Sequence, residues 1–239
     1  MFNQNSALTH KNSESTGQTG KKEFKLCQEQ LRQKEMYGIE EEIMGLGYQA
    51  VAGLDEAGRG PLAGPVVAAA VILSPQVFIP GINDSKKLTP ERRIRIYQEI
   101  TANGLPYAIG EAGVDEIDDL NILQASRLAM LRAVENLPVK PDFLLIDGYA
   151  WPGIDLPHRG VIKGDAKSLS IAASSIIAKV TRDQMMEELD QVYPEYGFAK
   201  HKGYATAEHI KAISNYGLSP VHRRSFHLRH KQQSLDLEA

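Results

Sequence analysis

Two short apolar runs, Gln49 to Asp55 (QAVAGLD) and Val66 to Leu73 (VVAAAVIL), flank Gly58-Arg59-Gly60-Pro61-Leu62-Ala63-Gly64-Pro65. Glycine and proline at that density can continue neither a strand nor a helix, so the chain must turn there. The two runs are therefore predicted to be antiparallel neighbours in a sheet. Downstream, Thr89-Pro90-Glu91 reads as a helix start, with Thr as cap, Pro at the first helical position and an acid in the first turn. Ile94, Tyr97 and Ile100 mark its predicted buried face. Further strands are expected at Tyr107 to Ala112, Phe143 to Asp147 and Gly160 to Lys163. Further helices are expected at Leu123 to Leu137 (stripe Leu128, Leu131, Val134), Ser168 to Gln191 and Thr206 to Tyr216, the last closed by Gly217. Strands alternating with helices in this order predict an α/β domain with a mixed sheet.

The chain of 239 residues is long enough for one large domain, or one domain with an appendage. Met1 to Gly20 is rich in Asn, Ser, Thr, Gln and Gly and reads as disordered. Lys21 to Ile43 carries Phe24, Cys27 and Leu31 at i, i+3 and i+7, which predicts a short amphipathic helix laid on a body that begins near Tyr48. The single cysteine, Cys27, excludes an internal disulfide and a cysteine-built zinc site. No apolar run reaches the roughly 18 residues of a membrane span, and the N-terminus is too polar for a signal peptide. A soluble, cytoplasmic protein is the expectation. The formal charge of −3 argues against a nucleic-acid partner, yet from Gly197 onward seven Lys or Arg face three acids. That end suits an anionic substrate or is a solvated tail.

The acids are more informative. Asp55 and Asp147 each close an apolar strand and are followed at once by turn residues, and Asp165 follows Val161-Ile162-Lys163-Gly164 in the same way. Carboxylates at strand ends of an α/β sheet lie where ligands bind, although each could instead cap the turn that follows. Several such groups held together, with Glu56 beside Asp55, need a counter-charge, and hard divalent cations prefer carboxylate oxygen. Two of them about 3.5–4 Å apart form the clamp used for in-line displacement at phosphorus. Adjacent residues of a regular strand face opposite sides, so convergence of Asp55 with Glu56 is expected to need a break, which Gly58 would permit. Other phosphate and nucleophile motifs fail. The glycines at Gly53, Gly58 and Gly60 lack the Lys-Ser/Thr pair of a P-loop, and Ser174 and Ser175 fall inside a helix.

Gly53-Leu-Asp-Glu-Ala-Gly-Arg-Gly-Pro-Leu-Ala-Gly-Pro-Val66 resembles the signature of the type 2 ribonucleases H, and specifically of bacterial ribonuclease HII. Asn83-Asp-Ser-Lys-Lys-Leu88, Leu145-Ile-Asp-Gly148, Lys163-Gly-Asp165 with Ile171 to Asp183, Tyr196 to Tyr204 and His222-Arg-Arg-Ser-Phe226 match in the same order. The resemblance implies a ribonuclease H-like fold over residues 48–226, with a central mixed sheet flanked by helices and a small helical C-terminal part. Residues 1–47 would be an extension and 227–239 a tail.

It further implies an endonuclease that cuts RNA in RNA–DNA hybrids and nicks duplex DNA 5′ of a single ribonucleotide, and so removes misincorporated ribonucleotides. Asp55, Glu56, Asp147 and Asp165 would be catalytic and hold two Mg²⁺ or Mn²⁺ ions, giving 5′-phosphate and 3′-hydroxyl ends. Gly58, Arg59, Gly60 and Tyr204 would read the 2′-hydroxyl, the group that separates RNA from DNA. The glycines also suit a plain tight turn, and Tyr204 a half-buried core. Asn83, Ser85, Lys86, Lys179, Arg182, Arg223 and Arg224 would serve the substrate backbone, although Asn83-Asp-Ser also makes a cap and Arg182 could simply pair with Asp183.

The expected partners are the hybrid and the ribonucleotide-containing duplex, met by a monomer with no obligate protein partner and no membrane. The tail Ser234 to Ala239 lacks the aromatic pair of a sliding-clamp peptide. The alternative is a ribonuclease HIII-like enzyme acting on longer hybrids, whose N-terminal domain residues 1–47 are too short and polar to supply.

Overall fold

The computed structural model describes residues 11–151 and 153–226, with backbone alone for 11–20 and 22. Strands β1 (Val51–Ala57), β2 (Val66–Ile72), β3 (Tyr107–Ala112), β4 (Phe143–Asp147) and β5 (His158–Val161) form one sheet in the order β3-β2-β1-β4-β5. β2 runs antiparallel to β1 and β3, while β1, β4 and β5 run parallel, the mixed sheet expected. The helices are α1 (Lys11–Met36), α2 (Gly38–Gly45), α3 (Pro90–Ala102), α4 (Val114–Leu120), α5 (Ile122–Glu135), α6 (Leu169–Val192), α7 (Phe198–His201) and α8 (Ala207–Tyr216).

The alternation along the strands distributes side chains between two cores. Ala52 and Leu54 of β1 join Ala68 and Ala70 under α5, and Ala69 and Val71 of β2 pack with Ile176 and Ile177 of α6 on the opposite face. α6 lies tight on β1 because Gly53 has no side chain: a Cβ there would meet Ser170 and Ile171 backbone. The chain runs outward from β1 through β2 and β3, then returns to place β4 on the other side of β1. Pairing of β1 with β4 ends at Leu54↔Ile146, whereas β1 stays paired with β2 to Ala57↔Val67. The sheet therefore opens between β1 and β4 at their C-terminal ends, the topological switch point where α/β sheets bind ligands.

Several expectations change. The predicted stripe on the N-terminal helix is not buried: Phe24 and Leu31 are 64% and 59% exposed and Cys27 is exposed. A different face docks, with Gln33, Met36, Tyr37, Glu40 and Ile43 as the buried positions. Helix α1 begins at Lys11, within the stretch read as disordered; Met1 to His10 and the tail 227–239 lie outside the described residues. In α3, Thr89 caps and Ile100 is buried as predicted, but Ile96 is also buried and Ile94 is exposed. α5 buries small residues, Ala125, Ala129 and Ala133, with Met130, while Leu128, Leu131 and Val134 flank them half-buried. Helix α4 was not expected; Asn121, at φ 68°, ends it and caps α5 through its side-chain oxygen.

Candidate active site

Asp55 and Glu56 lie within β1, and the strand does not break between them as expected. Asp55 falls on the α6 face with Gly53, and Glu56 on the α5 face with Leu54. Both lie beyond the last β1–β4 pair, at the open end of the sheet, near enough for Glu56 to repel Asp55. Asp147 ends β4, and its Oδ1 accepts from Gly164 N at 2.7 Å. Asp165 sits in the turn Gly164–Ala166 that leads into α6. Asp55 and Asp165 are 4% and 5% exposed, which is costly for carboxylates without partners.

Each partner is local. Asp55 Oδ1 accepts from Glu56 N at 2.7 Å. Arg59 Nη1 stands 3.1 Å from Glu56 Oε1, and Lys86 Nζ 3.3 Å from Asp165 Oδ2. Burial, with Glu56 and Asp147 beside it, lifts the Asp55 carboxyl well above the usual range. Burial lifts Glu56 against the pull of Arg59, and lifts Asp147 against the Gly164 amide, with Asp165 adding repulsion. Burial opposes the charge of Lys86, but Asp165 and Asp55 raise its pKa overall. The cluster is thus hard oxygen, crowded and short of positive charge, which fits divalent cations. Among the described residues no three acids, histidines or cysteines stand as a ready-formed ligand cage.

The substrate-side residues divide sharply. Tyr204 is 47% exposed, and a Cβ on Gly60 would lie 3.5 Å from its ring, so the tyrosine stands directly over the glycine turn. Lys86 and Arg224 are exposed, and Asn83 half-buried with its Oδ1 capping Asp84 N. Ser85, by contrast, is buried and its hydroxyl lies 2.7 Å from Ser175 Oγ. That hydroxyl pair ties the loop to α6 rather than leaving Ser85 open to phosphate. Lys179 is engaged by Asp183 at 2.6 Å.

Arg182 and Arg223 are 1% and 2% exposed and cannot meet a phosphate, contrary to expectation. Arg182 does not pair with Asp183 either, which takes Lys179 and Arg93. Arg182 donates to the carbonyls of Pro65, Lys202 and Ala63. Arg223 donates to those of Gly58, Arg59, Pro61, Gly64 and Pro65, at 2.6–3.2 Å. Burial and the neighbouring Arg182 lower its pKa, but five carbonyl dipoles hold it as the cation. The consequence is geometric. In a trans peptide the N–H points opposite to the C=O, so drawing the carbonyls of Gly58 and Arg59 inward turns the amides of Arg59 and Gly60 outward. Gly58 makes this turn at φ +96°, where a side chain would overlap Arg182.

Two supports were not legible in the sequence. Gln33 of α1 exchanges two hydrogen bonds with Ile79, Arg32 donates to Ile82 O, and Glu29 accepts from Gly81 N at 2.9 Å. These brace the segment that leads into Asn83 and Lys86. Glu40 of α2, fully buried, accepts from Ser168 Oγ at 2.6 Å and Ser170 N at 2.9 Å at the start of α6. Charged side chains on a polar helix carry no local signal of such long-range partners. The C-terminal part closes the site from the other side: Leu62 N donates to Gly203 O, Gly64 N to Val221 O and Arg223 N to Leu62 O.

The family model described as Ribonuclease HII matches residues 52–229. A ribonuclease HII of Desulfitobacterium hafniense is 58% identical over 191 residues, covering 80% of this chain and 73% of that protein. One from Acetivibrio thermocellus is 53% identical over 206 residues, covering 86% and 80%. Among solved structures, the ribonuclease H2 of Pyrococcus horikoshii is similar with a TM-score of 0.61 at 30% identity, over 74% of this chain and 94% of that one.

Proposed function

Because the chain belongs to the ribonuclease HII family, nucleases that hydrolyse the RNA of RNA–DNA hybrids, we propose that it also incises duplex DNA on the 5′ side of a single embedded ribonucleotide. The observation that carries the reading is the pairing of two features at one sheet edge. Four carboxylates gather at the switch point, and Tyr204 stands over a turn whose amides face outward. Asp55, Glu56, Asp147 and Asp165 would hold two Mg²⁺ or Mn²⁺ ions. Such ions supply an activated water and stabilise the departing oxygen.

The chain's own groups do the rest. The outward amides of Arg59 and Gly60 and the Tyr204 ring read the ribose: the amides can donate to a 2′-hydroxyl, and the ring covers the sugar that carries it. Lys86, against Asp165, balances charge beside the cleavage point and can follow the substrate phosphates, as can Asn83 and Arg224. Glu56 N orients Asp55, and Gly164 N orients Asp147. The proposal is of a monomer working on nucleic acid in the cytoplasm. Among the described residues, no helix is long and apolar enough to cross a membrane.

The test is a labelled duplex with one ribonucleotide, incubated with Mn²⁺, Mg²⁺ or EDTA and mapped at nucleotide resolution. A metal-dependent nick immediately 5′ of the ribonucleotide, leaving 5′-phosphate and 3′-hydroxyl, is expected. Cutting of long hybrids with no nick at the single ribonucleotide would replace this reading with a ribonuclease HIII-like one. No cleavage of either would refute the assembly of the four carboxylates.

A further inference from the structure

On the α5 side of the carboxylates lies a cleft of about 290 Å³ that the catalytic account does not use. Glu56, Asp147, Met130 and Trp151 line it together with Arg59, Arg127 and Tyr149. Its composition is unusual for a surface groove. Tyr149 is 80% exposed, while Trp151, two residues on, is 6% exposed. Arg127, in the middle of α5, lies with its guanidinium 5.4 Å from the Trp151 ring centre. Among the described residues it has no hydrogen-bond or ion-pair partner, although two carboxylates line the same cleft. Stacking on the indole holds the guanidinium in place without using its donors.

The Tyr149 backbone is also held. Gly148 N donates to Val161 O at 3.0 Å, and β4 stays paired with β5 to Asp147↔Val161. Gly160 lets the turn sit directly on β5, since a Cβ there would overlap Tyr149 and Ala150 backbone. An aromatic ring is thus presented to solvent from a fixed turn, next to an unpaired cation, at the edge of a nucleic-acid-cleaving site. A stacking platform with a neighbouring cation is the arrangement that holds one nucleotide: ring on base, guanidinium on phosphate.

The occupant follows from continuity. Arg59 belongs to the turn under Tyr204 and also lines this cleft, as do the carboxylates Glu56 and Asp147. With the ribose on the turn and its 5′ phosphate at the carboxylates, the cleft receives the nucleotide across the cut. We propose that this cleft is a subsite for the deoxynucleotide 5′ of the ribonucleotide, with Tyr149 stacked on its base and Arg127 on its phosphate. The proposal rests on the incision site proposed above.

The experiment separates the two. Binding of a duplex with one ribonucleotide is titrated by fluorescence anisotropy in EDTA, with the wild type, Tyr149→Ala, Tyr149→Phe and Arg127→Ala, each checked for an unchanged melting temperature. Abasic sites are placed in turn at the positions around the cut. Tyr149→Ala is expected to weaken binding about tenfold, and Tyr149→Phe by less than about twofold. An abasic site at the 5′ neighbour should weaken the wild type to the same extent and add nothing to Tyr149→Ala. Arg127→Ala should reduce the salt dependence by about one phosphate contact. Wild-type affinity in Tyr149→Ala, or non-additivity at any other position, would overturn the proposal. A wild type that binds as described but never nicks the duplex would sink the incision reading alone.

Discussion

Replacing Arg223 by lysine tests whether this side chain builds the turn or touches the substrate. The guanidinium serves five carbonyls of residues 58–65 in a fixed fork, whereas an ammonium has three donors on a flexible stem. Pro65 O keeps its bond from Arg182, so at least one of the other four carbonyls is left without a donor, at a cost of about 1–3 kcal/mol. The variant should therefore lose about 1–3 kcal/mol, within the roughly 5–15 kcal/mol typical of a domain, and remain folded. Urea unfolding reads this as a lower midpoint at unchanged slope. Since the carbonyls of Gly58 and Arg59 set the direction of the next two amides, cleavage at a single ribonucleotide should fall more than cleavage of a long hybrid. The number of phosphate contacts should stay the same, because Arg223 is buried. An unchanged midpoint, together with a binding salt slope reduced by about one unit, would refute this reasoning and return Arg223 to the substrate.

Asp55→Asn and Asp147→Asn should each abolish cleavage while gel-shift affinity for a hybrid stays near wild type; full activity in either purified variant would remove that carboxylate from the site. Tyr204→Ala should impair incision at a single ribonucleotide more than hybrid binding, and equal losses would make Tyr204 structural. Glu40→Ala strips two buried donors at the start of α6 of their acceptor and should cost about 3 kcal/mol in urea unfolding; an unchanged midpoint would make the contact incidental. In the C-terminal part, His222 Nδ1 accepts from Ser219 N, so its Nε2 carries the proton and donates to His209 Nε2 at 3.0 Å, and His209 Nδ1 donates to Tyr204 O. This chain needs both rings neutral, and burial with the adjacent His209 lowers His222 to about 4. The unfolded chain takes up its proton near 6.5, so this stabilisation is complete above about pH 6.5 and is lost as pH falls toward about 4. A urea midpoint that declines over that window, and declines less in His222→Gln, is the expected result.

The sequence alone determined the alternation of elements and the placing of acids at the strand ends. β1 and β2 around their turn, the Thr89 cap and the acids at 55, 56, 147 and 165 were all legible, because turn residues, caps and strand-end carboxylates act through neighbours in the chain. Residue type could not reveal the direction a long side chain takes. Arg223 and Arg224 are identical neighbours, yet one is buried under five carbonyls and the other is exposed, a difference made by where the C-terminal part crosses residues 58–65. Asp55 and Glu56 are both left uncovered by β4 on an unbroken strand because β1 and β4 part company after Leu54 and Ile146, which no local pattern records. The N-terminal helix shows the same limit: its apolar stripe faces solvent, and Glu29, Gln33 and Glu40 dock it instead. Partners up to 130 residues away satisfy those polar groups. A buried polar group costs free energy unless it is paired, so the completed tertiary structure decides which charged residues turn inward.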